Sequence, residues 1–200
     1  MNTFDIRDIP IFWINLDRQP ERRERMESFF KKNEFTNTTR VPGVVHDRGA
    51  RGCGLAFMKV FQEVAPTENF IILEDDCLPT EWYDPIIEIP EDTDAYYLGI
   101  SAWARKNGQS GPLLEIAEAE KNTYRILNML SGHAIYYKSK KYVDHCKKWC
   151  EDYDNETEDN FDIGIAERMS SYNVYCSTTP IFYQTTQSHV TNVMINRVQQ

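Results

Sequence analysis

The sequence predicts an α/β protein built on a mixed, mainly parallel sheet flanked by helices, and three observations carry that expectation. Strand-like and helix-like segments alternate through the first half, which calls for right-handed crossovers between parallel strands. Phe70-Ile71-Ile72-Leu73 is an unbroken apolar run of high β-propensity, as in a strand buried on both faces. The run stops abruptly at Glu74-Asp75-Asp76, at a strand's carboxyl end, where open α/β sheets bind ligands.

The elements follow in order. Ile9 to Asn15 reads as a strand, and Pro20, suited to a first helical position, opens a helix to about Asn33. Thr39 to Val45 is a second strand. Leu55 to Ala65 is a helix with Leu55, Met58, Phe61 and Ala65 on its inner face. After the acid-terminated strand come a short helical piece near Glu81 and a strand from Asp94 to Ile100. Tyr124 to Leu130 and Ala134 to Lys138 are strands around Ser131-Gly132-His133. Ser139 caps a helix to Tyr153 whose apolar stripe is Tyr142, Cys146, Trp149, Cys150 and Tyr153. An acidic loop to Asp159 leads to a helix from about Asn160 to Ser171, then short strands at Asn173 to Ser177 and Ile181 to Gln184. The tail beyond Gln187 is polar. No repeat or linker divides the 200 residues, so one domain is expected over 1–200.

Composition narrows the function. A net charge of −9 argues against a broad nucleic-acid or anionic-membrane surface, so an anionic ligand must be met locally. The first ten residues do not read as a signal peptide, and no run reaches transmembrane length. The five cysteines are odd in number, show no Cys-x-x-Cys spacing, and place Cys146 and Cys150 one helical turn apart. Core thiols and a reducing, cytoplasmic setting are expected.

Three adjacent carboxylates repel one another, and fold stability gives little reason to gather them. A hard divalent cation, Mg²⁺ or Mn²⁺, removes that penalty and usually arrives with substrate phosphates. A solvated, helix-capping loop is the plainer explanation. If the sheet is parallel, Asn15 and Asp17 share the acids' rim and can hydrogen-bond a base or ribose. Arg18 and Arg23 are candidates for phosphate. The other cations of this helix read as a solvated face, with Glu21–Arg25 and Glu27–Lys31 as i,i+4 pairs. In Arg48-Gly49-Ala50-Arg51-Gly52-Cys53-Gly54, glycines at a helix start let backbone N–H groups and Arg51 approach an anion; a tight turn or a loop closing over substrate reads equally well. Tyr96, Tyr97, Trp103 and Tyr183 can stack on a sugar or base, with Trp103 the most suitable platform and Tyr96-Tyr97 expected to split, one ring inward and one outward.

Residues 14–26 (Ile-Asn-Leu-Asp-Arg-Gln-Pro-Glu-Arg-Arg-Glu-Arg-Met), Gly52-Cys53-x-Leu55 opening a helix, and Leu73-Glu74-Asp75-Asp76 occur in this order and at similar spacing in glycosyltransferase family 25. Leu98-Gly99 and Ser131-Gly132-His133-Ala134-x-Tyr136 resemble its later blocks, so the likeness spans roughly residues 9 to 165. It implies a Rossmann-like GT-A fold, with a nucleotide-sugar-binding half over about 1–100 and an acceptor and catalytic half over about 101–190. It implies a nucleoside-diphosphate-sugar donor, UDP by resemblance alone, a glycan or glycoconjugate acceptor, and manganese or magnesium. Carried over, Asp76 binds the metal and Glu74 or Asp75 meets ribose or a metal-bound water. Of the four histidines, His189 best suits the late imidazole ligand that GT-A enzymes often add. Asp159 and Asp162 stand at the start of a late helix, where such enzymes place the base of an inverting transfer; Asp162 is preferred, although N-cap and first-turn roles explain both. One departure matters: Ala56-Phe57 replace the family's usual Ser-His. Alternatives are a nucleotidyl- or phosphotransferase using the same acids, or a degenerate module that binds nucleotide sugar without turnover.

Overall fold

The computed structural model describes residues 1–154 and 161–185. The first half contains β1 (Asn2–Asp5), β2 (Ile11–Asn15), α1 (Pro20–Lys32), β3 (Thr38–Pro42) and α2 (Gly49–Lys59), which runs on into a π turn. Next come β4 (Phe70–Glu74), β5 (Cys77–Pro79), β6 (Ile86–Ile89) and β7 (Ala95–Tyr97). The second half adds β8 (Ala104–Lys106), β9 (Gln109–Gly111), β10 (Glu115–Glu118), β11 (Thr123–Asn128), β12 (Ala134–Tyr137) and α3 (Lys140–Asp154). It ends in α4 (Phe161–Arg168), β13 (Val174–Ser177) and β14 (Phe182–Gln184).

The protein is mixed α/β, with an eight-stranded sheet ordered β10-β11-β13-β7-β12-β4-β2-β3. Pairing is parallel at β2·β3, β2·β4 and β13·β7, and antiparallel at the other four ladders. The sheet is mixed, as expected, but parallel pairing holds at only three of its seven ladders instead of at most of them. Most strands share a direction, but the reversed β12 separates β4 from β7. Periodicity reports a strand's faces, not which gap a late strand will fill.

Both sheet faces are covered, as the Phe70–Leu73 run requires. Phe70 and Ile72 face one core with Phe57 and Phe61 of the α2 segment and with Cys146, Cys150 and Phe161 of α3 and α4. Ile71 and Leu73 face the other, with Met26 and Phe30 of α1 and the ribbon of β1 and β6. Tyr96 and Tyr97 also take opposite faces, yet both are buried, so neither ring points outward to solvent. Cys146 and Cys150 are buried free thiols, as expected.

The boundaries show where local reading stopped. Pro20 opens α1, and Ser139 caps α3 by accepting the Tyr142 N–H at 3.2 Å. Near Glu81 there is a turn instead of a helix: Tyr83 N–H reaches the Thr80 carbonyl at 3.2 Å, between Pro79 and Pro85. Helix α2 begins at Gly49 rather than Leu55, so the glycine-rich segment is helix, not a preceding loop. Gly52 is needed for close approach: a Cβ there would lie 2.5 Å from the Val44 carbonyl oxygen. The β1–β6 ribbon, β5 and the β8–β9 hairpin have no counterpart in the sequence reading.

Gly164 in α4 gives a stability test. A Cβ there would lie 1.6 Å from Trp149 Cε2, and the Arg168 guanidinium, one turn on, also lies over the indole, 4.8 Å from the ring centroid. Helix propensity alone favours Ala over Gly by about 1 kcal/mol. Overpacking predicts the opposite sign, so Gly164→Ala should destabilise the fold by about 1–3 kcal/mol, measured by urea denaturation.

Candidate active site

The alternation along β4 decides where the acids go. Phe70 and Ile72 point towards α2 and α4, so Glu74 belongs to that side. Ile11 and Trp13 of β2 point towards α1, so Asn15 belongs to the α1 side. The ladder ends at Glu74, and the chain turns at Asp75-Asp76 before entering β5. Asp75 swings to the α1 side.

There Asp75 is thoroughly engaged. It is only 7% exposed, and a buried polar group needs hydrogen-bond partners. Asn15 Nδ2 donates to its Oδ2 at 2.7 Å, Arg22 Nη1 to its Oδ1 at 2.9 Å, and Arg25 Nη2 to its backbone carbonyl at 2.9 Å. Asn15 also donates to the Gln19 carbonyl at 3.2 Å and accepts from Arg40 Nε at 2.9 Å. Its polar atoms are therefore used within the protein, holding Asp75. Arg40 also pairs with exposed Asp17 through Nη2, which keeps the Asp17 carboxyl below its ordinary range.

Glu74 has the opposite surroundings. Its Oε1 would lie 3.2 Å from a Cβ on Gly132, so the absence of a side chain there leaves the carboxylate room against that backbone. Its backbone N–H donates to the His133 carbonyl at 2.9 Å. Phe57 of α2 stacks on Phe161 of α4, with centroids 4.7 Å apart, and this pins the first turn of α4 beside the site. Asp162 follows in that turn. Burial raises the Glu74 carboxyl well above the usual range, and Asp76, Asp162 and Asp75 add to the rise; Arg22 opposes them. Asp162 is raised too, by burial, against the opposing hydrogen bonds of its own N–H and that of Ile163. The Cys53 thiol, set in the concave wall although its surface is exposed, is also pushed up by desolvation and by Glu74, Asp162 and Asp76.

Asp76, 4% exposed, lies between the two sides. Gln184 Nε2 donates to its Oδ2 at 3.3 Å, and Arg22 Nη1 lies 3.9 Å from the same oxygen. Its carbonyl accepts from Thr185 N–H at 3.0 Å and Thr185 Oγ1 at 3.2 Å, where β14 pairs with β5.

These groups open into a cleft at the carboxyl ends of β2, β3 and β4, walled by the start of α2. Of the residues expected at the site, Glu74, Asp75, Asp76 and Arg18 line it. Arg23 instead pairs with Glu27 at 2.8 Å on the exposed face of α1. Arg51, in the first turn of α2, and Trp103, whose carbonyl receives the Leu130 N–H at 2.7 Å, do not line the cleft. Asp159 and His189 lie outside the described residues. Sequence reasoning missed Arg22, Cys53 and Gly132. Arg22 and Arg25 read as part of a solvated face, but both turn towards the sheet and bind Asp75.

Among the described residues, no three His, Cys, Asp or Glu side chains form a ready-made metal site. The donor chemistry at Glu74 and Asp76 nevertheless suits a hard cation, which is commonly held by one or two carboxylates together with substrate phosphates. Compared with known proteins, the chain matches no family model and no curated protein.

The carboxyl of Glu74 gives a pH signature. Because its folded pKa is raised, its contribution to stability is complete below the unfolded value near 4.5 and is lost as pH rises through the folded value. Glu74→Gln keeps the shape without the charge. With divalent ions chelated, it should match the parent protein at pH 4 and be more stable at pH 8, compared by urea midpoints.

Proposed function

We propose that this chain is a metal-dependent glycosyltransferase of GT-A type, moving a sugar from a nucleoside diphosphate, UDP by resemblance, to a hydroxyl of a glycan or glycoconjugate. One observation supports the reading: Glu74 and Asp76 line one cleft at the strand ends, and Asp162, far along the chain, lies near enough for its charge to raise the Glu74 carboxyl. Converging acids on a parallel β-edge suit phosphate-linked chemistry better than structural support. The strand order, with reversed β12 between β4 and β7, is compatible with the GT-A architecture.

Glu74 and Asp76 are the residues that would hold Mn²⁺ or Mg²⁺. Such an ion supplies charge neutralisation of the departing diphosphate. Arg18 stands in the same cleft for phosphate. In an inverting transfer Asp162 takes the proton of the acceptor hydroxyl. The acceptor oxygen then bonds to the anomeric carbon, and the sugar–phosphate bond breaks with its electron pair on the diphosphate. A carboxyl raised by burial is a better base near neutral pH than an ordinary aspartate.

A binding-only module is the second reading, and Ala56-Phe57 favours it. Both residues are core, and Phe57 fills, with its stacked partner Phe161, the position where the family carries an imidazole.

Nucleotides are expected to raise the melting temperature only with Mn²⁺. A nucleoside diphosphate at a hundredfold excess over its Kd should give about 5–10 °C. Asp76→Asn should abolish that shift. Asp162→Asn should keep the shift and slow transfer by about 10²–10⁴-fold. Hydrolysis of a panel of nucleotide sugars separates the readings: stabilisation without any turnover supports the binding module, and stabilisation without metal dependence sinks the metal-dependent transferase.

A further inference from the structure

Arg22 is a cation of the cleft that local sequence reasoning placed on a solvated helix face. Its side chain is 28% exposed and lines the cleft. Only Nη1 is engaged among the described residues, at 2.9 Å from Asp75 Oδ1 and 3.9 Å from Asp76 Oδ2. A guanidinium carries five N–H donors in a planar fork. The fork is thus docked at one corner on a carboxylate while its other donors face a partly open cleft. Arg25, one turn on, differs: its Nη2 is bound to the Asp75 carbonyl and its Nε is buried.

We propose that Arg22 is a resident counter-cation of the acid cluster and a diphosphate-binding residue. This rests on the transferase reading above. Two consequences follow from charge and geometry. A fixed positive charge between Asp75 and Asp76 weakens the binding of any divalent ion to Glu74 and Asp76. The same charge, with donors to spare, strengthens binding of the diphosphate once an ion is present. Arg22 therefore makes metal binding depend on the nucleotide: alone, the ion meets repulsion, whereas with its phosphates it meets a bidentate partner.

The test uses the full chain and two probes, Mn²⁺ alone and UDP in saturating Mn²⁺. Free Mn²⁺ is counted by electron paramagnetic resonance, and UDP binding is read by calorimetry. Arg22→Gln should bind Mn²⁺ alone at least about fivefold more tightly, as expected when a unit charge a few ångströms away is removed. It should bind UDP in Mn²⁺ at least about tenfold more weakly. Lys32→Gln, the same charge change at the exposed far end of α1, should alter neither. Removing Arg22 leaves Asp75 short of a partner, so Arg22→Gln/Asp75→Asn provides the variant without a stranded buried charge; it should retain the weaker UDP binding. If the parent chain binds both probes and Arg22→Gln binds them equally well, the role of Arg22 is excluded and the transferase reading stands. If the parent chain binds neither, both fall.

Discussion

Everything at the cleft depends on one electrostatic problem. A strand buried on both faces ends in three consecutive carboxylates, two of which are almost inaccessible to water. Charges removed from water are tolerated only with partners or with protonation. The structure uses both solutions, on opposite sides of the same strand. Towards α1, Asn15 and Arg22 hold the Asp75 carboxylate while Arg25 takes its backbone carbonyl. Towards α2 and α4, burial raises the carboxyls of both Glu74 and Asp162, and the charges of Asp76, Asp162 and Asp75 raise Glu74 further.

That asymmetry gives the site its chemical interest. The paired side is a rigid footing, because Asn15 is itself fixed by Arg40 and by the Gln19 carbonyl. The raised side is a store of unfavourable interaction that a cation, a proton or a hydrogen-bonding ligand relieves. Fold elements converge to build it: Gly132 clears space for the Glu74 carboxylate, and the Phe57–Phe161 stack brings α4 alongside. An apolar pair thus does the positioning for a polar constellation. Aromatic stacking is insensitive to protonation, so the geometry persists while the carboxyls titrate.

Much of this was legible from residues alone. The apolar run and its acidic end fixed a central strand and the rim to which it points. Pro20 and Ser139 marked helix starts correctly because capping chemistry is local. Asp162 is singled out by its place at a helix start, and its charge is felt at Glu74, although it does not line the cleft. Arg22 and Arg23 show where such reading stops. They are neighbours of the same chemical type, and only Arg23 has an acid, Glu27, at i+4. Only the direction in which α1 lies on the sheet turns Arg22 to Asp75 and leaves Arg23 to Glu27. Asn15 was read as a ligand contact for want of knowing that a buried carboxylate stood beside it. The glycines of 49–54 suggested a loop, whereas at Gly52 the smallness serves packing inside a helix against Val44.

By itself, the sequence determined the α/β class, the buried central strand and the gathering of anions at its end, since these follow from periodicity, β-propensity and adjacency along the chain. Tertiary structure alone decided the gap that β12 fills, the cation that meets the acids, and the carboxyl from α4 that joins them. Each is a contact between segments distant in sequence, and such contacts are selected by how whole faces pack, which no local pattern of residues records.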